Sequence, residues 1–124
     1  MKKNNFLEIK NTEGGKGLFS KNSFSRGDIV HVLEGDILEK PTRESVEVYG
    51  FFKGSVRSVH IMDTLFMFCN HSFAPNIVID KNQHTAVAIA DIEVGEEVCF
   101  NYITNESQIT NPFTDKNTNQ RVEK

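Results

Sequence analysis

The sequence predicts a mainly β domain of several short strands with one small insert near its middle. Three observations carry this. Short runs rich in β-branched residues recur between turn signals; a glycine-rich bend lies between two strands rather than ahead of a helix; and helical periodicity is scarce, with one ambiguous exception.

In chain order, Asn5 to Ile9 reads as a first strand, Asn11-Thr12-Glu13-Gly14-Gly15-Lys16-Gly17 as a turn, and Leu18-Phe19-Ser20 as the strand resuming. A Gly-x-Gly opening a helix would suggest a dinucleotide fold, and one between strands does not. Phe24-Ser25-Arg26-Gly27-Asp28-Ile29-Val30 and Ile92-Glu93-Val94-Gly95-Glu96-Glu97-Val98 share a spacing of apolar residue, Gly and Val, so each is expected to turn the chain into a new strand. Further strands are expected at Asp28–Leu33, Asp36–Leu38, Asn76–Asp80, Thr85–Ala90 and Glu97–Tyr102. The stretch Arg43–Phe52 offers a helix capped by Thr42, but the alternation Val46-Glu47-Val48-Tyr49 argues for a strand.

The chain has 124 residues, enough for one folded unit. We expect a domain over 1–104, with its insert at about 41–65, and a polar tail over 105–124 that is mobile unless Phe113 anchors it. Fourteen Lys and Arg against seventeen Asp and Glu give a net charge of -3, with no basic block to follow a phosphate backbone, so nucleic acid is not an expected direct partner. The start Met1-Lys2-Lys3-Asn4-Asn5-Phe6 lacks an apolar segment behind its charges, and no apolar run reaches membrane-spanning length. A soluble cytoplasmic or other intracellular protein is expected. Cys69 and Cys99, each among apolar neighbours, suit buried thiols rather than a disulfide. No Cys-x-x-Cys pair suggests zinc, and His31, His60 and His84 show no metal-ligand spacing, so they are expected as surface or strand residues without a metal.

The informative stretch is Phe66-Met67-Phe68-Cys69-Asn70-His71-Ser72-Phe73-Ala74-Pro75-Asn76. Polar side chains inside an aromatic run need partners, because an unpaired buried amide or imidazole costs about 1–3 kcal/mol. Either Asn70 and Ser72 bond the backbone of a tight turn closed by Pro75-Asn76, or the triplet is presented to a small ligand.

Three motifs, in order, resemble the SET domain, the catalytic module of protein-lysine methyltransferases. Gly15-Lys16-Gly17-Leu18-Phe19-Ser20 is similar to the family's Gly-x-Gly-Leu-Phe segment. Phe68-Cys69-Asn70-His71-Ser72-Phe73-Ala74-Pro75-Asn76 is similar to its Asn-His-Ser signature, and Gly95-Glu96-Glu97-Val98-Cys99-Phe100-Asn101-Tyr102 to its Gly-Glu-Glu segment ending in Tyr. The resemblance implies a β-clip-like fold of small curved sheets with a C-terminal pseudoknot that brings Asn70-His71 beside Tyr102. It implies S-adenosylmethionine as methyl donor, becoming S-adenosylhomocysteine, and a lysine of a histone-like or other basic protein as acceptor. By resemblance, Gly15, Lys16, Gly17, Asn70, His71 and Tyr102 contact the cofactor, with Phe113 either a lid over its adenine or an ordinary tail residue. Tyr102 is the implied catalytic tyrosine.

The sequence departs from the family at three places. Leu33 stands where a tyrosine is usual, and Tyr49 in the insert could restore the hydroxyl or simply pack. Asn101 stands where Asp is more common, and Met67 replaces a common arginine. Cysteine clusters flanking the domain are missing, so the 105–124 tail or a second copy of the chain, in a homodimer, must close the substrate channel. The Glu93, Glu96, Glu97 cluster reads as a solvated face. The alternative to an enzyme is a catalytically decayed module of the same fold that docks a peptide.

Overall fold

The computed structural model describes residues 6–42, 44–52, 54–107, 113–115 and 118–123. The chain opens with an antiparallel hairpin of β1 (Leu7–Thr12) and β2 (Gly15–Ser20), Leu7 facing Ser20 and Thr12 facing Gly15. The bend is therefore tighter than the sequence suggested. Gly15, Lys16 and Gly17 belong to β2, because pairing with Thr12, Asn11 and Lys10 extends the ladder almost to the turn.

Next come β3 (Ile29–Val32), β4 (Asp36–Leu38), β5 (Val46–Phe52) and β6 (Ser55–Met62). Strands β4, β6 and β5 form one sheet in that order. Strand wins over helix at 46–52 because Val46 and Val48 are both buried, and β5 finds a full antiparallel partner in β6, with Val46 opposite Ile61. Thr42 caps nothing helical; its N–H donates to Ser45 Oγ in a turn, and Arg43 lies outside the described residues. Between β3 and β4 the chain presses against the end of β6. A Cβ at Gly35 would stand 1.9 Å from the Met62 carbonyl oxygen. Backbone cannot yield as a side chain does, so Gly35→Ala should cost at least the roughly 1–3 kcal/mol of an overpacked core, read as a lower urea midpoint.

A 3-10 turn at Phe66–Phe68 leads into β7 (Asn70–His71), followed by β8 (Ile77–Asp80), β9 (Thr85–Ala88) and β10 (Cys99–Phe100). Strands β3, β9 and β8 make a second three-stranded sheet. The two segments of repeated spacing lie against each other: Phe24 and Ile92 exchange N–H···O bonds of 2.8 Å, and Gly27 and Gly95 take φ of 96° and 90° in their turns.

β10 pairs with β7 in parallel, Cys99 opposite Asn70 and Phe100 opposite His71. Asn76 secures this passage, its Oδ1 accepting from Cys99 N–H and its Nδ2 donating to Glu97 O. Extended structure expected to Tyr102 stops at Phe100, because Asn101 Oδ1 accepts from the N–H groups of Ile103 and Thr104 and caps α1 (Tyr102–Asn105). Asn serves this cap about as well as Asp does. Described parts of the tail are ordered: β11 (Phe113–Thr114) pairs with β12 (Arg121–Val122), and Val122 is fully buried. The core gathers Leu7, Leu18, Val30, Val48, Phe66, Ile77, Ile92 and Val98 between the sheets. Among the described residues, no helix is long and apolar enough to cross a membrane.

Candidate active site

The parallel β7–β10 pairing sets the site. Asn70 sits at its edge, half-buried, with both amide protons engaged: Nδ2 donates to Lys16 O at 3.0 Å and to Glu97 Oε2 at 2.8 Å. The flip of the amide is thereby defined, and Oδ1 is the atom that remains to accept from a cationic donor. Glu97 is the residue that sequence reasoning missed. Glu93 and Glu96 are exposed as expected, but Glu97 is half-buried, because Val98, its neighbour in the pleat, takes the core face and leaves Glu97 on the opposite face against Asn70.

Gly17 completes this edge. A Cβ there would stand 2.5 Å from Glu97 Oε2 and 3.2 Å from Asn70 Nδ2, so any side chain would collide with the pair that orients the amide. Lys16 Nζ, on the same strand, rests on Asn11 Oδ1 at 3.2 Å in an exposed position from which it can reach a carboxylate. Gly15 is exposed at the start of β2.

His71 is 6% exposed, and its Nδ1 accepts from Tyr102 N–H at 3.0 Å, which places the ring proton on Nε2. Burial lowers its pKa, against the opposing pull of the Asp115 carboxylate, and the neutral ring suits that acceptor role. Nε2 has no partner among the described residues. Around it stand Phe73 at 4.3 Å, Tyr102 at 5.2 Å and Phe113 at 6.1 Å between ring centroids. The Tyr102 hydroxyl donates to Cys69 O at 2.5 Å, which commits its proton. Asn70 thus meets the glycine bend through Lys16 O, while His71, the next residue of β7, meets Tyr102 and Phe113.

Tyr49 lies elsewhere. Itself 40% exposed, it borders a cleft of about 530 Å³ shared with Phe100, Asn101 and Thr104, next to Tyr102 in sequence but without the Tyr102 ring on its wall. Leu33 is a core residue at 5% exposure. Both thiols are free; burial first, and the Glu97 carboxylate second, pushes Cys99 up to about 12, and burial raises Cys69 well above the usual thiol range. Protonated thiols are poor nucleophiles, so neither competes for an electrophile held nearby. His31 and His60, expected at the surface or in strands, sit in β3 and β6 and are both buried.

Several small sheets, with β10 laid parallel to β7, define a SET-type fold. The chain belongs to the SET domain family, whose model matches residues 15–103. Among solved structures it is similar to a humanized mutant of the Chaetomium thermophilum Polycomb Repressive Complex 2 bound to the inhibitor GSK126, with TM-score 0.62 and 18% identity over 96% of this chain and 19% of that one. It is also similar to CpSET8 from Cryptosporidium, with TM-score 0.53 and 19% identity over 81% of this chain and 58% of that one. The chain thus spans less than two thirds of either. A sequence comparison with curated proteins gives no match.

Proposed function

We propose that the protein is a lysine methyltransferase that uses S-adenosylmethionine and acts on a protein substrate. The observation that supports this is β7 itself: it sets the Asn70 amide against Lys16 O and Gly17, with both amide protons engaged so that Oδ1 is left to accept, and its next residue, His71, accepts from Tyr102 N–H. An ammonium-bearing cofactor fits the Asn70 Oδ1 acceptor, and the missing side chain at Gly17 lets Glu97 reach the Asn70 amide and orient it. In this reading Gly15 and Gly17 let the backbone approach the cofactor, Lys16 meets its carboxylate, Asn70 accepts from its ammonium, the His71 main chain pairs with the adenine edge, and Phe113 covers the adenine face.

S-adenosylmethionine, when bound, supplies a methyl group on a sulfonium. The chain's own work is alignment and exclusion of water. Because the Tyr102 proton is held by Cys69 O, the phenol oxygen acts as an acceptor that can orient a lysine N–H and hold polarised C–H groups in line. An apolar approach favours the neutral amine over its charged form, whose ordinary pKa is about 10.4. Tyr49, on the neighbouring cleft wall, is read as a guide for the incoming lysine. The 105–124 segment, beyond a domain over 1–104 whose insert spans about 41–65, is read as the lid. A net charge of -3 agrees with a basic peptide substrate.

Calorimetry with S-adenosylmethionine tests the reading. Binding is expected, and Asn70→Ala should weaken it about 10–100-fold, the worth of a hydrogen bond to a charged group. No heat with the intact chain would sink the enzyme and favour a peptide-docking module.

A further inference from the structure

Away from the cradle, three titratable side chains from three segments meet in the interior. Glu47 of β5, His60 opposite it on β6, and Glu106 just after α1 are 2%, 6% and 8% exposed. One ring nitrogen of His60 and one carboxylate oxygen from each glutamate lie within 4.8 Å of one another. His60 Nδ1 has no hydrogen-bond partner among the described residues. We propose that Glu47, His60 and Glu106 bind a divalent first-row transition metal of the zinc type, tying the β5–β6 hairpin to the segment that follows the Tyr102 helix.

The donor set is two oxygens and an imidazole nitrogen, which suits zinc and its neighbours; magnesium and calcium prefer all-oxygen shells of higher coordination. Around one tetrahedral ion at about 2.1 Å, ligand atoms lie roughly 3.4 Å apart, so the three need close in by up to about 1.4 Å, a side-chain adjustment. Both carboxylates are held from behind. Glu47 Oε1 accepts from Ser107 N–H at 2.8 Å and its Oε2 from Ser107 Oγ at 2.8 Å, while Glu106 Oε2 accepts from Glu47 N–H at 2.9 Å and Asn105 Nδ2 at 2.7 Å. Such outer-shell bonds fix ligand orientation in metal sites.

Among the described residues, one positive charge is already drawn to the cluster. Lys81 Nζ stands 3.0 Å from Glu47 Oε2. One ammonium cannot balance two buried carboxylates, and its side chain, 18% exposed and 5.4 Å over the Tyr49 ring, has a path outward when a divalent ion replaces it. Lys81 is therefore the competitor of the metal. The site draws on no local sequence spacing, since its members come from distant segments.

The test is calorimetric titration of the chelator-treated chain with zinc chloride, with thermal melts in parallel. One zinc per chain should bind and raise Tm by several degrees, and magnesium should do neither. His60→Ala should weaken binding by more than the roughly 10–100-fold typical of losing an outer-shell partner. Lys81→Met should bind at least as tightly as the parent. Should His60→Ala fail to fold, Glu106→Gln, which keeps an oxygen to accept from Glu47 N–H, carries the same expectation. No binding by the intact chain, undiminished binding by the folded ligand variant, or weaker binding by Lys81→Met would overturn the proposal. Methyl transfer is not read out, so failure here leaves the cofactor cradle untouched.

Discussion

Tyr102→Phe is expected to cut methyl transfer about 10²–10³-fold while leaving S-adenosylmethionine affinity near that of the parent. The asymmetry follows from where the hydroxyl points. Its proton goes to Cys69 O, and in the proposed role the phenol oxygen serves the methyl and the amine, so the loss falls on the reacting atoms rather than on the cofactor's ends. The ring stays, and with it the contacts to His71, Phe100 and Phe113. Folding should suffer by about 1 kcal/mol, the usual net worth of one hydrogen bond. Single-turnover transfer of labelled methyl to a basic protein, beside calorimetry on the same variant, checks both halves. Equal rates for parent and variant would reduce Tyr102 to packing.

The largest expected loss of stability comes from Asp63→Ala. This carboxylate is 2% exposed and accepts from His31 Nε2 at 2.8 Å and from the N–H groups of Glu34, Leu65 and Phe66 at 2.9 Å each. The His31 ring is stacked on Phe66, so removing Asp63 strands a histidine and the Phe66 amide in the core and leaves two further amides, of Glu34 and Leu65, unpaired nearer the surface. About 3–5 kcal/mol is expected, the range for breaking a buried pair on one side. Although burial alone would raise its pKa, the bonds from His31, Glu34 and Phe66 hold Asp63 at about 2 against an ordinary 3.8. A depressed folded pKa means stability fully present above about pH 4 and lost as the pH falls toward 2, roughly 2 kcal/mol in all. Thermal melts from pH 7 to pH 2 should show the parent losing that increment and Asp63→Ala lacking it. A constant gap between the two curves would refute the assignment.

Short β-branched runs were legible in the sequence wherever pairing is local. Asp36–Leu38 is found as expected, and the strands near 76–80 and 85–90 differ only at their ends, because their alternation and turn residues agree with the ladder they join. The stretch 43–52 was ambiguous because β6, not its own composition, decides it. Tyr102 was expected in a strand because the Asn101 cap competes with extended backbone only once the helix exists. The motifs around Asn70, His71 and Tyr102 were visible as chemistry out of place in an apolar run. Glu97 was not, since three glutamates in a turn look alike until the pleat decides which one faces Asn70. Clusters such as Glu47, His60 and Glu106 have no local signature at all.

Parallel pairing of β7 with β10 also has a cost during biosynthesis. The two partners are about thirty residues apart, so at roughly 5–20 residues per second a nascent chain carries Asn70-His71 as a bare edge for some 1.5–6 seconds before Cys99-Phe100 exists to cover it. Throughout that interval the growing polypeptide is exposed to annealing with its neighbours on a polysome, and a holdase or slow local translation would protect it.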